Sequence, residues 1–249
     1  PNGGGGGYVT DRQVIGVSGL ALGTIIRVGE QDVSSGGTAS GVTFSGGFQN
    51  VYSGAVVIGA KLEDDAVQTL NGVTVSGTLL ENSFQYVQSG STAIATDAIG
   101  GEQLIFQSSL AVSATIGRYA EQVVGSGCTA LGTTVKSGGL LEVEGGGTAS
   151  GVVSSGGALE LAGSNPSVAG VTRRTGAILD LGYGYATSAS VSSGFPEEVL
   201  YGGTQAGGAI LSGALVDVLN GGIVSGTTVS SGGRLVVSAA GSAIDVTIN

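Results

Sequence analysis

The chain contains no His, no Trp and no Met, a single Cys, five Phe and three Pro, and only 10% of its 249 residues are charged. Without His, the Ser-His-Asp triad, the imidazole metal sites and the commonest general base are excluded. The lone Cys128 allows neither a disulfide framework nor a thiolate metal cage, and reads as a small buried hydrophobe. The scarcity of bulky aromatics argues against one large globular core. Hydrophobic residues still make up 41% of the chain; they are mostly Val, Ala, Leu and Ile, so the core they build must be narrow. No apolar run approaches the roughly 18 residues of a membrane helix, and no basic-then-apolar N-terminal segment reads as a signal peptide. A translated chain begins with Met, so this sequence reads as a processed or excised piece of a longer protein, or as one lacking its first residue.

Eighteen acidic residues against eight basic ones give a net charge of −10. That balance disfavours nucleic acid and anionic membrane surfaces, whose phosphates need Lys and Arg. The chain is nevertheless too apolar and too weakly charged to be disordered.

What is abundant is glycine, fifty residues of it, and it recurs in register with a repeat. The stretch Gln31 to Gly47, Q-D-V-S-S-G-G-T-A-S-G-V-T-F-S-G-G, returns 110 residues later as Leu141 to Gly157, L-E-V-E-G-G-G-T-A-S-G-V-V-S-S-G-G. A looser copy runs from Val216 to Gly233. Residues 1–12, with five consecutive glycines, read as a flexible lead-in. Residues 13–249 read as the repeat domain. Aligned on Q/L-x-V, the units start at Gln13, Gln31, Gln49, Gln68, Gln85, Gln103, Gln122, Leu141, Leu159, Leu179, Val199, Val216 and Leu235. The intervals of 17 to 20 residues leave no room for ordinary helices between strands.

Within a unit the first strand alternates with period two: Leu141 and Val143, or Leu159 and Leu161, inward, with Asp32, Glu142, Glu160 and Asp180 in the outward position. A Ser-Gly or Gly-Gly turn follows, then a second short strand with a small centre such as Thr148-Ala149-Ser150, then a third ending in another Ser-Gly-Gly turn. Three strands and three turns make one coil of an all-β parallel solenoid of about 13 coils of 18–19 residues. Stacked at about 4.8 Å, they form a rod of roughly 60 Å.

Gln13, Gln31, Gln49, Gln68, Gln85, Gln103 and Gln122 occupy the leading inward position of seven successive coils. This column reads as a ladder of side-chain amides, each bonded to the next, replaced later by aliphatic residues. Departures from the repeat mark where function could be grafted on. Glu63-Asp64-Asp65 reads as a solvated turn or a fragment of a hard-cation site, although Ca²⁺ needs six or more oxygens. Tyr183 and Tyr185 read either as contact residues or as a loop covering the rod. No compact Asp cluster falls on adjacent coils, the Ca²⁺-binding nonapeptide pattern is not matched, and no phosphate-binding glycine loop occurs. No catalytic constellation, metal site or cofactor is therefore expected.

The x-V-x-S-G-G-T-A-S-x-x-x-V-x-S-G-G unit, with Gln leading many copies, resembles the passenger repeats of AIDA-type self-associating autotransporter adhesins. The resemblance runs from Gln13 to Asn249. It implies a right-handed parallel β-helix displayed at the bacterial cell surface, self-association with copies on neighbouring cells, biofilm formation and adhesion to host cells. Some relatives carry heptose on repeat serines. The resemblance therefore makes Ser34, Ser35, Ser45, Ser137, Ser154, Ser155, Ser230 and Ser231 candidate acceptors for a protein heptosyltransferase, against their plain reading as turn residues. Asp32, Glu142, Glu160, Asp180, Tyr183 and Tyr185 are the candidate contact surface. A polysaccharide-acting β-helix enzyme and an inert stalk are the rival readings. More coils or a cap are expected beyond Asn249, because an open sheet edge invites aggregation.

Overall fold

The computed structural model describes residues 11–174, 178–182, 184, 186, 187, 191, 197–199 and 202–249. Their regular structure is all strand, and every pairing between named strands is parallel. Thirteen first strands stack in order from Arg12–Ile15 to Arg234–Val237. The register equates Gln13 with Gln31, Gln31 with Gln49, Gln49 with Gln68, and so on up the rod. Second strands such as Thr38–Ser40 and third strands such as Thr43–Ser45 build the other two walls. The chain is a parallel β-solenoid.

Side-chain size explains the bore. Second strands contribute a buried column of small residues, with Ala21, Ala39, Val57, Val75, Ala93, Ala111, Ala130 and Ala149 in register. Third strands fill the opposite side with Phe44, Leu62, Leu80 and Ile116, all fully buried. Each fully buried side chain of that size contributes about 1.5–3 kcal/mol relative to exposure. Cys128 is also buried among the apolar residues, as its sequence context suggested.

Most corners turn on Ser-Gly or Gly-Gly, but two do not break the strand. Leu79–Gln88 and Asp97–Ile105 each run unbroken through the corner from a third strand into the next first strand. The shortest interval, Gln68 to Gln85, lies at the first of these.

The register corrects one boundary. Leu179 pairs with Glu197 and Glu197 with Val216, so the eleventh unit leads with Glu197 rather than Val199. Val199 instead pairs in register with Leu181 and Val218. The Q/L-x-V pattern failed because an acidic residue holds the position that is apolar or amide in its neighbours.

Candidate functional site

The glutamines form a continuous chain of amide hydrogen bonds. Nε2 of Gln31 donates to Oε1 of Gln13 at 2.6 Å, Gln49 to Gln31 at 2.7 Å, Gln68 to Gln49 at 2.6 Å, Gln85 to Gln68 at 2.6 Å and Gln103 to Gln85 at 2.7 Å. Gln122 completes the series by donating to Gln103. From Gln31 to Gln122 these side chains are wholly buried. A one-way ladder ends with an acceptor that has no donor, because Leu141 follows Gln122. Thr133 fills that vacancy, its Oγ1 donating to Gln122 Oε1 at 2.7 Å. Thr78 and Thr96 reinforce Gln68 and Gln85 in the same way, at 3.2 and 3.0 Å. Sequence reasoning did not find these threonines, since they lie ten or eleven residues from their partners. Beyond the exposed first residue, Gln13, the ladder is sealed from solvent, so its role is structural.

Function must therefore lie outside. The outward positions of the first strands divide into two blocks along the rod. Coils three to six present Phe48, Tyr52, Phe84, Tyr86 and Phe106. Coils six to nine present Glu102, Glu121, Glu142 and Glu160, one on each of four successive coils. Asp180 extends this series in register with Glu160. The carboxylates that gather on neighbouring coils are thus mostly glutamates.

Their proximity changes their chemistry. Partial burial, followed by the neighbouring charges of Glu142 and Glu102, pushes the Glu121 carboxyl up to about 7. Burial also raises Glu142 and Glu160, with Glu144 adding to the first and Glu142 to the second. A carboxyl whose folded value lies above its unfolded one binds protons more readily in the folded state, so stability is greatest at low pH and falls as pH rises from about 4.5 through about 7. The midpoint of thermal unfolding should therefore be higher at pH 5.5 than at pH 8, and Glu121→Gln should flatten that slope. A slope unchanged by the substitution would show that Glu121 does not carry it.

Asp32 departs from the expected contact surface. It stands on the outward side, yet its side chain is only 3% exposed. Arg12 covers it, Nε donating to Oδ2 at 2.7 Å, and Asn50 Nδ2 donates to Oδ1 at 3.0 Å. Charge pairing across neighbouring coils has removed it from the surface. Glu142, Glu160 and Asp180 remain partly exposed. Tyr183 and Tyr185 lie outside the described residues.

The candidate acceptor serines also separate. Ser35, Ser137 and Ser231 are exposed, and Ser34, Ser45, Ser155 and Ser230 are partly so. Ser154 is 1% exposed and cannot serve as an acceptor. It occupies the inward position of a third strand, in register with Val135, and its Oγ donates to the Gly157 carbonyl at 2.6 Å. The Glu63-Asp64-Asp65 triplet is a tight turn, with Asp64 and Asp65 at φ 53° and 62°. Glu63 pairs with Lys61, which holds its carboxyl below the usual range. Among the described residues no group of three or more candidate ligands is placed to hold a metal ion.

The second-strand wall differs from both others. Among the described residues its strands, from Leu20–Leu22 to Ser242–Ile244, contain no Asp, Glu, Lys or Arg. Its outward rows are mostly Thr, Ser, Leu, Ile and Val.

No family model matches the sequence, and no curated protein matches it. Among solved structures, the chain is similar to the crystal structure of a TibC-catalysed, hyper-glycosylated fragment of TibA spanning residues 55–350. The likeness has a TM-score of 0.73 and 32% sequence identity, over 96% of this chain and 89% of that one. Identity at that level along the whole rod, on the same coil architecture, makes this chain a member of the β-helical repeat family to which TibA belongs.

Proposed function

We propose that the chain is the surface-displayed passenger of an AIDA-type adhesin, a non-enzymatic β-helix that holds bacteria together by lateral contact between rods. The observation that carries this reading is the likeness to TibA along almost the entire chain. A rod of this length offers many weak contacts, and display of many copies on facing cells multiplies them. With a net charge of −10 on each copy, lateral docking is least opposed along the charge-free second-strand wall. The acidic first-strand face would repel its equivalent in parallel register. The fragment of TibA is glycosylated by TibC. By the same chemistry a protein heptosyltransferase would modify the exposed turn serines of this chain, Ser35, Ser137 and Ser231 foremost. Biofilm formation and adhesion to host cells follow from the same surface display.

Bacteria that otherwise stay suspended should settle when they display this chain, and settling should weaken when Thr38, Thr74 and Thr148 of the second-strand wall are changed together to Lys. Cells that stay suspended with the unmodified chain on their surface would overturn the reading. A second reading, a polysaccharide-acting enzyme, is favoured by one observation: Glu121, held up near 7, stands beside Glu142 on the adjacent coil. A neighbouring pair of carboxyls, one of them raised towards neutrality, is equipment that glycoside hydrolysis uses. Release of reducing ends from a glycan by the purified chain, lost in Glu121→Gln, would favour it.

A further inference from the structure

The chain has twelve aromatic side chains, counting its seven Tyr and five Phe, and five of them share one wall over four coils. Phe48 and Phe84 stand two coils apart in a single outward column, with Val67 between them. Tyr86 occupies the adjacent column, in register with Thr69 and Leu104. Tyr52 and Phe106 flank the block on the third column, and Phe106 lies over Gly125, where an added Cβ would meet its ring at 3.2 Å. Phe48 is 53% and Tyr52 41% exposed. Core packing does not require these rings, since the bore is filled by Gln49, Val51, Gln85 and Val87 from the other side of the same strands. Aromatics on the outer face of a rod that has so few are positioned for contact.

The patch is also polar in a particular way. Asn50, Thr69, Asn71 and Gln88 alternate with the rings. Gln88 Nε2 donates to Asn71 Oδ1 at 3.1 Å, an arrangement that leaves Gln88 its carbonyl and Asn71 its amide hydrogens for a further partner. Rings with amides at their edges suit a ligand that has an apolar C–H face and a rim of hydroxyls. A pyranose ring has both. A purely apolar ligand would leave the Gln88 carbonyl and the Asn71 amide hydrogens unpaired.

Size decides between a sugar and a protein. Four coils at about 4.8 Å, across a strand of five residues, present on the order of 250 Å². A stable protein partner needs roughly 800 Å² per side. The patch is a third of that, and it runs along a sheet wall with Phe84, Tyr86 and Phe106 partly exposed, so it fits a few rings of an extended polymer. Charge decides the kind of polymer. The column of Phe48 and Phe84 continues in register into Glu102 and Glu121; on the other side it passes through Glu30, which is paired with Arg12 at the start of the column. A polyanion lying on the rings would run onto the carboxylates of Glu102 and Glu121, whereas an amine-bearing chain would pair with them.

We propose that the outward first-strand face from Phe48 to Glu121 binds an extended, amine-bearing polysaccharide, with the aromatic block stacking on sugar rings and the glutamates engaging their amines. This assignment is independent of self-association, which is read on a different wall. The test is calorimetric titration of the purified full chain with a glucosamine hexamer, its N-acetylated counterpart and an alginate hexamer. The glucosamine hexamer should bind, the N-acetylated form more weakly, and the alginate not at all. Phe84→Ala with Tyr86→Ala should weaken binding of both glucosamine-based hexamers at least about tenfold, equivalent to about 1.4 kcal/mol. Glu102→Gln with Glu121→Gln should weaken only the unacetylated one. Tyr119→Ala, an exposed ring at a corner, should change neither. Unfolding midpoints measured on every variant separate lost binding from lost fold. No binding of the glucosamine hexamer, equal binding of all three hexamers, or binding indifferent to the aromatic substitutions in a folded variant would overturn the proposal. Loss of self-association without loss of sugar binding in Phe84→Ala would likewise overturn it and give the patch to a second copy.

Discussion

Gln85→Glu should destabilise the chain by on the order of 3–5 kcal/mol at pH 8, among the largest effects of any near-isosteric change in the molecule. Gln85 is wholly buried and sits mid-ladder, donating to Gln68 Oε1 and accepting from Gln103 Nε2 and Thr96 Oγ1. A carboxylate there loses the donor, faces the Gln68 oxygen with a like partial charge, and places a full charge in the bore. The introduced carboxyl can recover by protonation, since its neutral form donates to Gln68 again. Its folded pKa is therefore raised above the unfolded value, and the variant should regain stability as pH falls towards the ordinary carboxyl range. Gln85→Leu is the informative companion. It removes the bonds without adding charge, and Thr78 and Thr96 still serve the Gln68 oxygen and the Gln103 amide. Its cost should stay within about 1–3 kcal/mol and be independent of pH. Urea unfolding of both variants at pH 5 and pH 8 checks the pattern. Equal loss in both, or no pH dependence in Gln85→Glu, would contradict a sealed amide ladder.

Gly101→Ala is the second substitution expected to be severe. Gly101 lies within Asp97–Ile105 at φ 80°, in register with Ser83 and Ala120. A Cβ built there would stand 2.0 Å from the Ser83 carbonyl oxygen and 2.4 Å from its nitrogen. Those are backbone atoms of the coil below, held by ladder bonds on both sides, so neither can give way without parting two coils. The expected loss exceeds about 3 kcal/mol, combining the left-handed backbone penalty with the clash. Gly59→Ala isolates the first of these contributions. Gly59 has φ 64° but nothing within 4 Å of an added Cβ. Its loss should be about 1–2 kcal/mol. Comparing the two unfolding midpoints separates conformational preference from coil-to-coil contact.

Much of the architecture was legible because a solenoid repeats its physics every coil. Gln31, Gln49 and Gln68 announce a column simply by recurring, and the Gly pairs announce the corners. What was not legible depends on which residues of different coils share a wall. Asp32 reads as a surface carboxylate until Arg12 and Asn50, 20 and 18 residues away, are seen to cover it. Ser154 reads as a turn serine until its register with Val135 turns it inward. Phe48, Tyr52, Phe84, Tyr86 and Phe106 are scattered over nearly sixty residues of sequence. Only exact register collects them into one patch, and a one-residue slip would have sent them into the bore. The same holds for Glu102, Glu121, Glu142 and Glu160, whose mutual repulsion is invisible until they are stacked.

On the proposed reading, two of the three outer walls divide the work. The acidic and aromatic first-strand face suits a polymeric ligand, and the uncharged second-strand face suits a second rod. Raising salt should affect them in opposite directions: screening weakens amine-to-carboxylate pairing and relieves repulsion between copies whose net charge is −10. Sedimentation velocity of the purified chain, over a range of protein concentration and at low and high salt, tests self-association most directly. The expected result is a reversible, concentration-dependent shift to dimers and larger lateral assemblies, stronger at high salt and abolished by Lys at the second-strand threonines. A single monomeric species at every concentration and both salt levels would contradict it.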